Sequence, residues 1–182
     1  LTHTHLSCLL NAMINNDLEY TDIKEVQVTC FAQAYDILFD PTKYRPESRE
    51  TADHSLPYCL AAAMVDKKIT TESFSDEKLN DPRIYEVIDK IKGKPSQEFE
   101  KMFPAKQPSR VVVTTNDGRT FEEYLEYPKG DPREPMTMED LENKFNSLAA
   151  DKFDSSQKKR LKENIFDCEK MSTSEFMENL NV

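Results

Sequence analysis

Three histidines, His3, His5 and His54, make up the whole imidazole inventory of this 182-residue chain. Imidazole is the side chain that exchanges protons near neutral pH, so their placing bounds the acid–base and metal chemistry available. His3 and His5 form an H-x-H pair, which on an extended segment turns both rings the same way, as in hydrolytic metal sites. A catalytic metal normally needs three protein ligands, and no carboxylate stands at a recognised spacing to complete the set. The alternative reading is two ordinary polar residues leading into a helix. The second group is Ala52-Asp53-His54-Ser55-Leu56-Pro57-Tyr58. A helix beginning near Ser55 brings Tyr58 about one turn after His54, so that imidazole and phenol line one pocket. The free N–H groups of that first turn favour a bound carboxylate. Each residue also has a structural reading: Ser55 as a cap, His54 as a hydrogen-bonded loop residue, and Tyr58 as a packing residue with its hydroxyl satisfied. Lys43, Arg45 and Arg49 lie just upstream. A cationic loop beside an imidazole can clamp a polycarboxylate, although Arg45 and Arg49 read better as surface residues.

These side chains need elements to position them. From Thr4, the residues Leu6, Leu9, Leu10, Met13 and Ile14 recur at helical spacing and end at Asn15-Asn16-Asp17. From Ile23 the period changes to two, with Val26, Val28 and Cys30 on one face, and a strand is read over 23–34. Residues 38–53, with Pro41 and Pro46, read as a long loop. Ser55 to Val65 reads as a buried helix with proline in its first turn. Start signals follow at Thr70, Ser75 and Asp81-Pro82, the last opening a helix that runs through Ile84, Val87, Ile88 and Ile91 to a stop at Gly93. Asn116-Asp117-Gly118-Arg119 between β-prone runs predicts a hairpin, with strand residues over 110–127. Helices are expected from Thr137, over 155–166 and over 173–180, the last introduced by Ser172 and Glu175. The fold class is therefore α+β.

Composition removes several functions. Acidic residues exceed basic ones by 34 to 24, giving a formal charge of −10, which opposes nucleic-acid binding. Glycine occurs only at 93, 118 and 130, so neither a Walker loop nor a dinucleotide-binding glycine fingerprint exists. No stretch approaches the roughly 18 apolar residues of a membrane span. The chain thus reads as soluble, with neither nucleic acid nor membrane as partner. Cys8, Cys30, Cys59 and Cys168 show no C-x-x-C pairing and read as free thiols in a reducing compartment. The chain opens on Leu1 without a secretory signal and reads as a truncated or processed piece.

In order along the chain stand Thr4-His5-Leu6 through Asn11-Ala12-Met13, Asp22-Ile23-Lys24-Glu25-Val26, the 52–58 group, Asp81-Pro82-Arg83-Ile84, the hairpin at Asp117-Gly118-Arg119-Thr120-Phe121, and Tyr127-Pro128-Lys129-Gly130. Over about residues 1–150 this ordered set resembles the C-terminal portion of the MmgE/PrpD family, best known for 2-methylcitrate dehydratases. The resemblance implies a longer protein in which a large helical domain and a small α+β lid close over one cleft. On that plan residues 1–20 are a helical edge segment, 21–135 the lid with its hairpin and further strand, and 136–182 a C-terminal segment of the helical domain. It implies elimination of water from a tricarboxylic hydroxy acid, without a metal, iron–sulfur cluster or other cofactor. Catalytic roles pass to His5 and Tyr58 and a substrate-binding role to His54, beside which Lys43 of the cationic loop is expected to help hold the polyanion. Decarboxylation of cis-aconitate or an isomerisation is the alternative within the family, and a non-catalytic binding or oligomerisation module the alternative outside it. The implied partners are the tricarboxylate, an upstream half carrying further active-site residues, and a second copy in a homodimer. The implied setting is propionate catabolism by the methylcitrate cycle, in the cytoplasm or, in a eukaryote, the mitochondrial matrix.

Overall fold

The computed structural model describes residues 1–150 and 152–180, which fall in two compact units, Leu1–Glu134 and Pro135–Val182. Among the described residues no helix is long and apolar enough to cross a membrane.

The first unit is built on a four-stranded sheet of β1 (Ile23–Cys30), β2 (Ile91–Pro95), β3 (Ser109–Thr115) and β4 (Thr120–Leu125), in the order β2-β1-β3-β4. β1 runs parallel to β2 and antiparallel to β3, which forms the hairpin with β4. The alternation read in the sequence sets the register, with Val26 opposite Val113 and Val28 opposite Val111, all four buried. Against the sheet lies α1 (His3–Asn15), which packs on β3 and β4, and beside it α4 (Leu56–Asp66). α4 is apolar around its whole circumference and buried from Leu56 to Met64, because neighbours cover it on every side. The hairpin turn follows the expected chemistry: Gly118 adopts φ 88°, and the N–H of Thr115 donates to the carbonyl of Arg119 at 2.9 Å.

Three expectations need correction. The first strand stops at Cys30, and residues to 34 instead enter α2 (Ala32–Leu38). The Glu100 carboxylate accepts from the N–H of Ala32 at 2.7 Å and of Gln33 at 3.4 Å, so this helix is capped from 68 residues away. Glu100 itself stands on α7 (Gln97–Met102). The expected loop over 38–53 is partly regular, with a 3₁₀ turn at Pro41–Tyr44 and α3 (Arg49–Asp53), capped by Asp40 and Ser48 respectively. The helix expected to reach Gly93 ends sooner. Past the short α5 (Asp76–Leu79), α6 spans Pro82–Ile88, and Ile91–Pro95 pairs with β1, Ile91 opposite Val26 and Gly93 opposite Val28. Ile91 fits a helical period equally well, and the available edge of β1 decides the outcome.

The second unit contains α8 (Met138–Leu148), α9 (Ser155–Phe166) and α10 (Thr173–Leu180), at the expected positions. Thr137 with Asp140 and Asp154 with Gln157 form reciprocal caps. An open apolar groove of about 230 Å³ runs between α8 and α9, lined by Met138, Leu141, Phe145, Ile165 and Phe166.

Candidate active site

The start of α4 organises two of the four residues singled out for chemistry. Ser55 caps the helix, accepting from the N–H of Tyr58 at 3.0 Å, with Pro57 in the first turn. Its hydroxyl also donates to the carbonyl of Lys43 at 2.5 Å. One buried serine therefore ties the Lys43 turn to the helix that carries Tyr58. The cap was legible in the sequence, whereas the second bond, to a residue twelve positions upstream, was not.

Lys43 borders an open hollow of about 300 Å³ with Thr42, Arg45, Pro46, Glu47 and Thr51. Arg45 is a surface residue, as read from the sequence, and its exposed side chain pairs with Asp89 at 2.7 Å and lies 5.6 Å from the ring centre of Tyr85. His54 is an exposed residue whose Nδ1 lies 2.9 Å from the Glu50 carbonyl and against the Asp53 carboxylate. The Glu50 carbonyl, then Asp53, raises its pKa, and the nearby positive charge of Lys43 opposes that rise. Lys43 and His54 thus lie within electrostatic reach of each other, the half-buried Lys43 at the hollow and the exposed His54 already against the Asp53 carboxylate.

Tyr58 is wholly buried. Its hydroxyl donates to the carbonyl of Ser73 at 2.8 Å, and its ring lies 6.1 Å from that of Phe74. Burial raises its pKa, so the phenol stays protonated. The expectation that His54 and Tyr58 line one pocket is not met. His54 closes α3 and Ser55 is extended, so the one-turn neighbour rule, which holds within a single helix, does not apply across them.

His5 lies in the first turn of α1 and is 1% exposed. Its Nδ1 shares a 2.5 Å hydrogen bond with the hydroxyl of Ser109, the first residue of β3. His3 is exposed, so the H-x-H pair does not turn its rings the same way: the segment is helical, and residues two apart on a helix point about 200° apart. Among the described residues no three His, Cys, Asp or Glu side chains are grouped to hold a metal. Ser109 went unremarked in the sequence, although extending the alternation of Val111 and Val113 by one step places it on the inward face. α1 and α4 are packed together, yet the polar atom of His5 is turned to β3 and that of Tyr58 to residue 73. The two rings do not meet across an open hollow in this structure.

Burial holds the His5 imidazole far below its ordinary pKa of 6.5, at about 3, so the ring is neutral at pH 7. In the unfolded chain it protonates near 6.5, so between those values the unfolded state binds more protons and stability falls as pH falls. At 1.36 kcal/mol per pH unit, moving from pH 6.5 to 5 removes about 2 kcal/mol. Urea unfolding of the native protein and of His5→Asn at pH 7 and pH 5 checks this. The stability difference between the two is expected to shift by about 2 kcal/mol in favour of the variant at the lower pH, and an unchanged difference contradicts a neutral buried ring.

Comparison with known proteins follows this geometry. Residues 1–168 match the MmgE/PrpD C-terminal domain. The chain is 29% identical over 140 residues to a cis-aconitate decarboxylase of Aspergillus terreus, covering 75% of this chain and 28% of that protein. It is 32% identical over 105 residues to the cis-aconitate decarboxylase of Mus musculus, covering 58% and 21%, and 33% identical over 111 residues to that of Homo sapiens, covering 58% and 22%. The chain spans about a quarter of the length of the curated relatives it matches.

Proposed function

This chain belongs to the MmgE/PrpD family, and from that premise we propose that it forms the C-terminal part of a lyase that decarboxylates cis-aconitate. The observation that carries this reading is the similarity to cis-aconitate decarboxylases from both fungi and mammals. It shifts the weight from 2-methylcitrate dehydration, the leading expectation from the sequence, to decarboxylation on the same scaffold, because fold alone does not choose between reactions.

The residues present suit either reaction at the level of charge and protons. Both substrates carry three carboxylates, and Lys43 offers them positive charge at the hollow it borders, with the exposed His54 nearby as a second polar partner. Decarboxylation breaks a carbon–carboxylate bond and leaves a carbanion that takes a proton. Dehydration instead removes a C–H proton and releases hydroxide. Tyr58, kept protonated, serves as a donor once its hydroxyl turns from the Ser73 carbonyl. His5, kept neutral, serves through the ring nitrogen not bound to Ser109. Both roles require the enclosed rings to gain access to substrate in the intact protein.

The test is to assay the intact protein with cis-aconitate and 2-methylcitrate side by side, measuring released CO₂ and the change in double-bond absorbance. CO₂ release from cis-aconitate, with a kcat/KM at least about tenfold above that for 2-methylcitrate, is expected. Dehydration of 2-methylcitrate without CO₂ release from cis-aconitate restores the dehydratase reading, and turnover of neither contradicts both.

A further inference from the structure

Ser109 is held by α1 through both its polar groups. Its hydroxyl shares the 2.5 Å hydrogen bond with His5 Nδ1, and its carbonyl accepts from the Cys8 thiol at 3.6 Å. His5 and Cys8 lie about one helical turn apart on α1, and all three residues are buried. The two ends of this contact are 104 residues apart in the chain, so only the folded sheet brings them together. An imidazole can present either nitrogen, and the hydrogen bond made by one decides what the other carries. Of the two groups beside the ring, the thiol gives its hydrogen to the Ser109 carbonyl, and burial pushes its pKa up to about 12. Glu123, across from Val111 on β4, acts on Cys8 as a further negative charge. The Ser109 hydroxyl is the group that engages the imidazole itself.

We infer that Ser109 is the positioning residue of His5, occupying Nδ1 and fixing the rotation of the ring so that Nε2 is the nitrogen offered to substrate. This rests on the proposed role of His5 in tricarboxylate chemistry. Misplacement of a reacting group by about 1 Å can cost on the order of 10²-fold in rate.

Ser109→Ala in the intact protein is expected to lower kcat for cis-aconitate by about tenfold or more, with KM changed less than about threefold. The ¹⁵N resonance of His5 Nδ1 is expected to shift as its hydrogen bond is lost, and Ser109→Thr, which keeps a hydroxyl, to restore both. Ser109→Cys, of similar size but with a weaker donor, supplies the same readouts should the alanine variant fail to fold. An unchanged kcat with an unchanged Nδ1 resonance overturns the inference. Full activity in His5→Asn overturns the catalytic reading beneath it, while the ring signals still decide whether Ser109 holds the imidazole.

Discussion

Replacing His5 by asparagine is expected to reduce kcat of the intact protein toward cis-aconitate by about 10² or more, the range a positioned acid–base group contributes. Asparagine keeps a short amide that can bond Ser109 but lacks the distal ring nitrogen, so it separates packing from proton transfer. A purely structural imidazole makes a different prediction. Losing one buried hydrogen bond costs about 0.5–1.5 kcal/mol of stability and leaves kcat of the folded protein unchanged. Tyr58→Phe makes the same division at the other ring, because it removes the bond to the Ser73 carbonyl and the phenolic proton together while keeping the ring beside Phe74. Steady-state kinetics with urea unfolding on each variant check both. A kcat loss below about tenfold in both, with stability lowered, would assign His5 and Tyr58 to the core and remove them from the chemistry.

The largest stability effect is expected at Gly93. It pairs with Val28 across the parallel β1–β2 ladder, and a Cβ added there would lie 2.5 Å from Cγ of Phe39 and 2.7 Å from both Cδ atoms. The obstruction is the root of an aromatic ring in the buried core, which cannot swing aside as a flexible chain end would. Alanine in place of strand glycine would otherwise gain about 0.5–1 kcal/mol from backbone entropy. Overpacking of this kind costs about 1–3 kcal/mol, so Gly93→Ala is expected to be a net loss. Thermal unfolding should fall by several degrees, and in the double variant Gly93→Ala with Phe39→Ala, which removes the clashing Cγ and Cδ atoms, the loss should be smaller than the sum of the two single losses. Gly118→Ala is the control: nothing lies within 4 Å of its Cβ position, so its cost comes from φ alone and should simply add to that of Phe39→Ala. An unaltered melting temperature in Gly93→Ala contradicts the packing described.

The same residue shows where sequence reading runs out. Gly93 reads as a helix stop because Val87, Ile88 and Ile91 fit a helical period, and the strand that replaces the last turn exists only because β1 offers a parallel edge. Local signals carried further. Ser55, Ser75, Asp81 and Thr137 cap the helices that follow them, since a cap is decided within a few residues. The hairpin was equally legible from its turn chemistry. What was hidden is contact at a distance: Glu100 capping α2, Ser55 reaching Lys43, and Ser109 meeting His5. The site divides the same way. Residue types and the family were readable. The burial of Tyr58 was readable too, because the helix that carries it is apolar on every side, whereas that of His5 was not, because a histidine in an apolar pattern reads alike whether it lines a cleft or closes a core.

The most direct measurement is the structure of the intact protein with cis-aconitate or an unreactive tricarboxylate analogue bound. The expected result is a carboxylate within hydrogen-bond distance of Lys43 or His54, with the reacting carbons facing Nε2 of His5 and the hydroxyl of Tyr58. A ligand bound with none of these four residues in contact, and His5 and Tyr58 still closed on Ser109 and the Ser73 carbonyl, would contradict the proposed site.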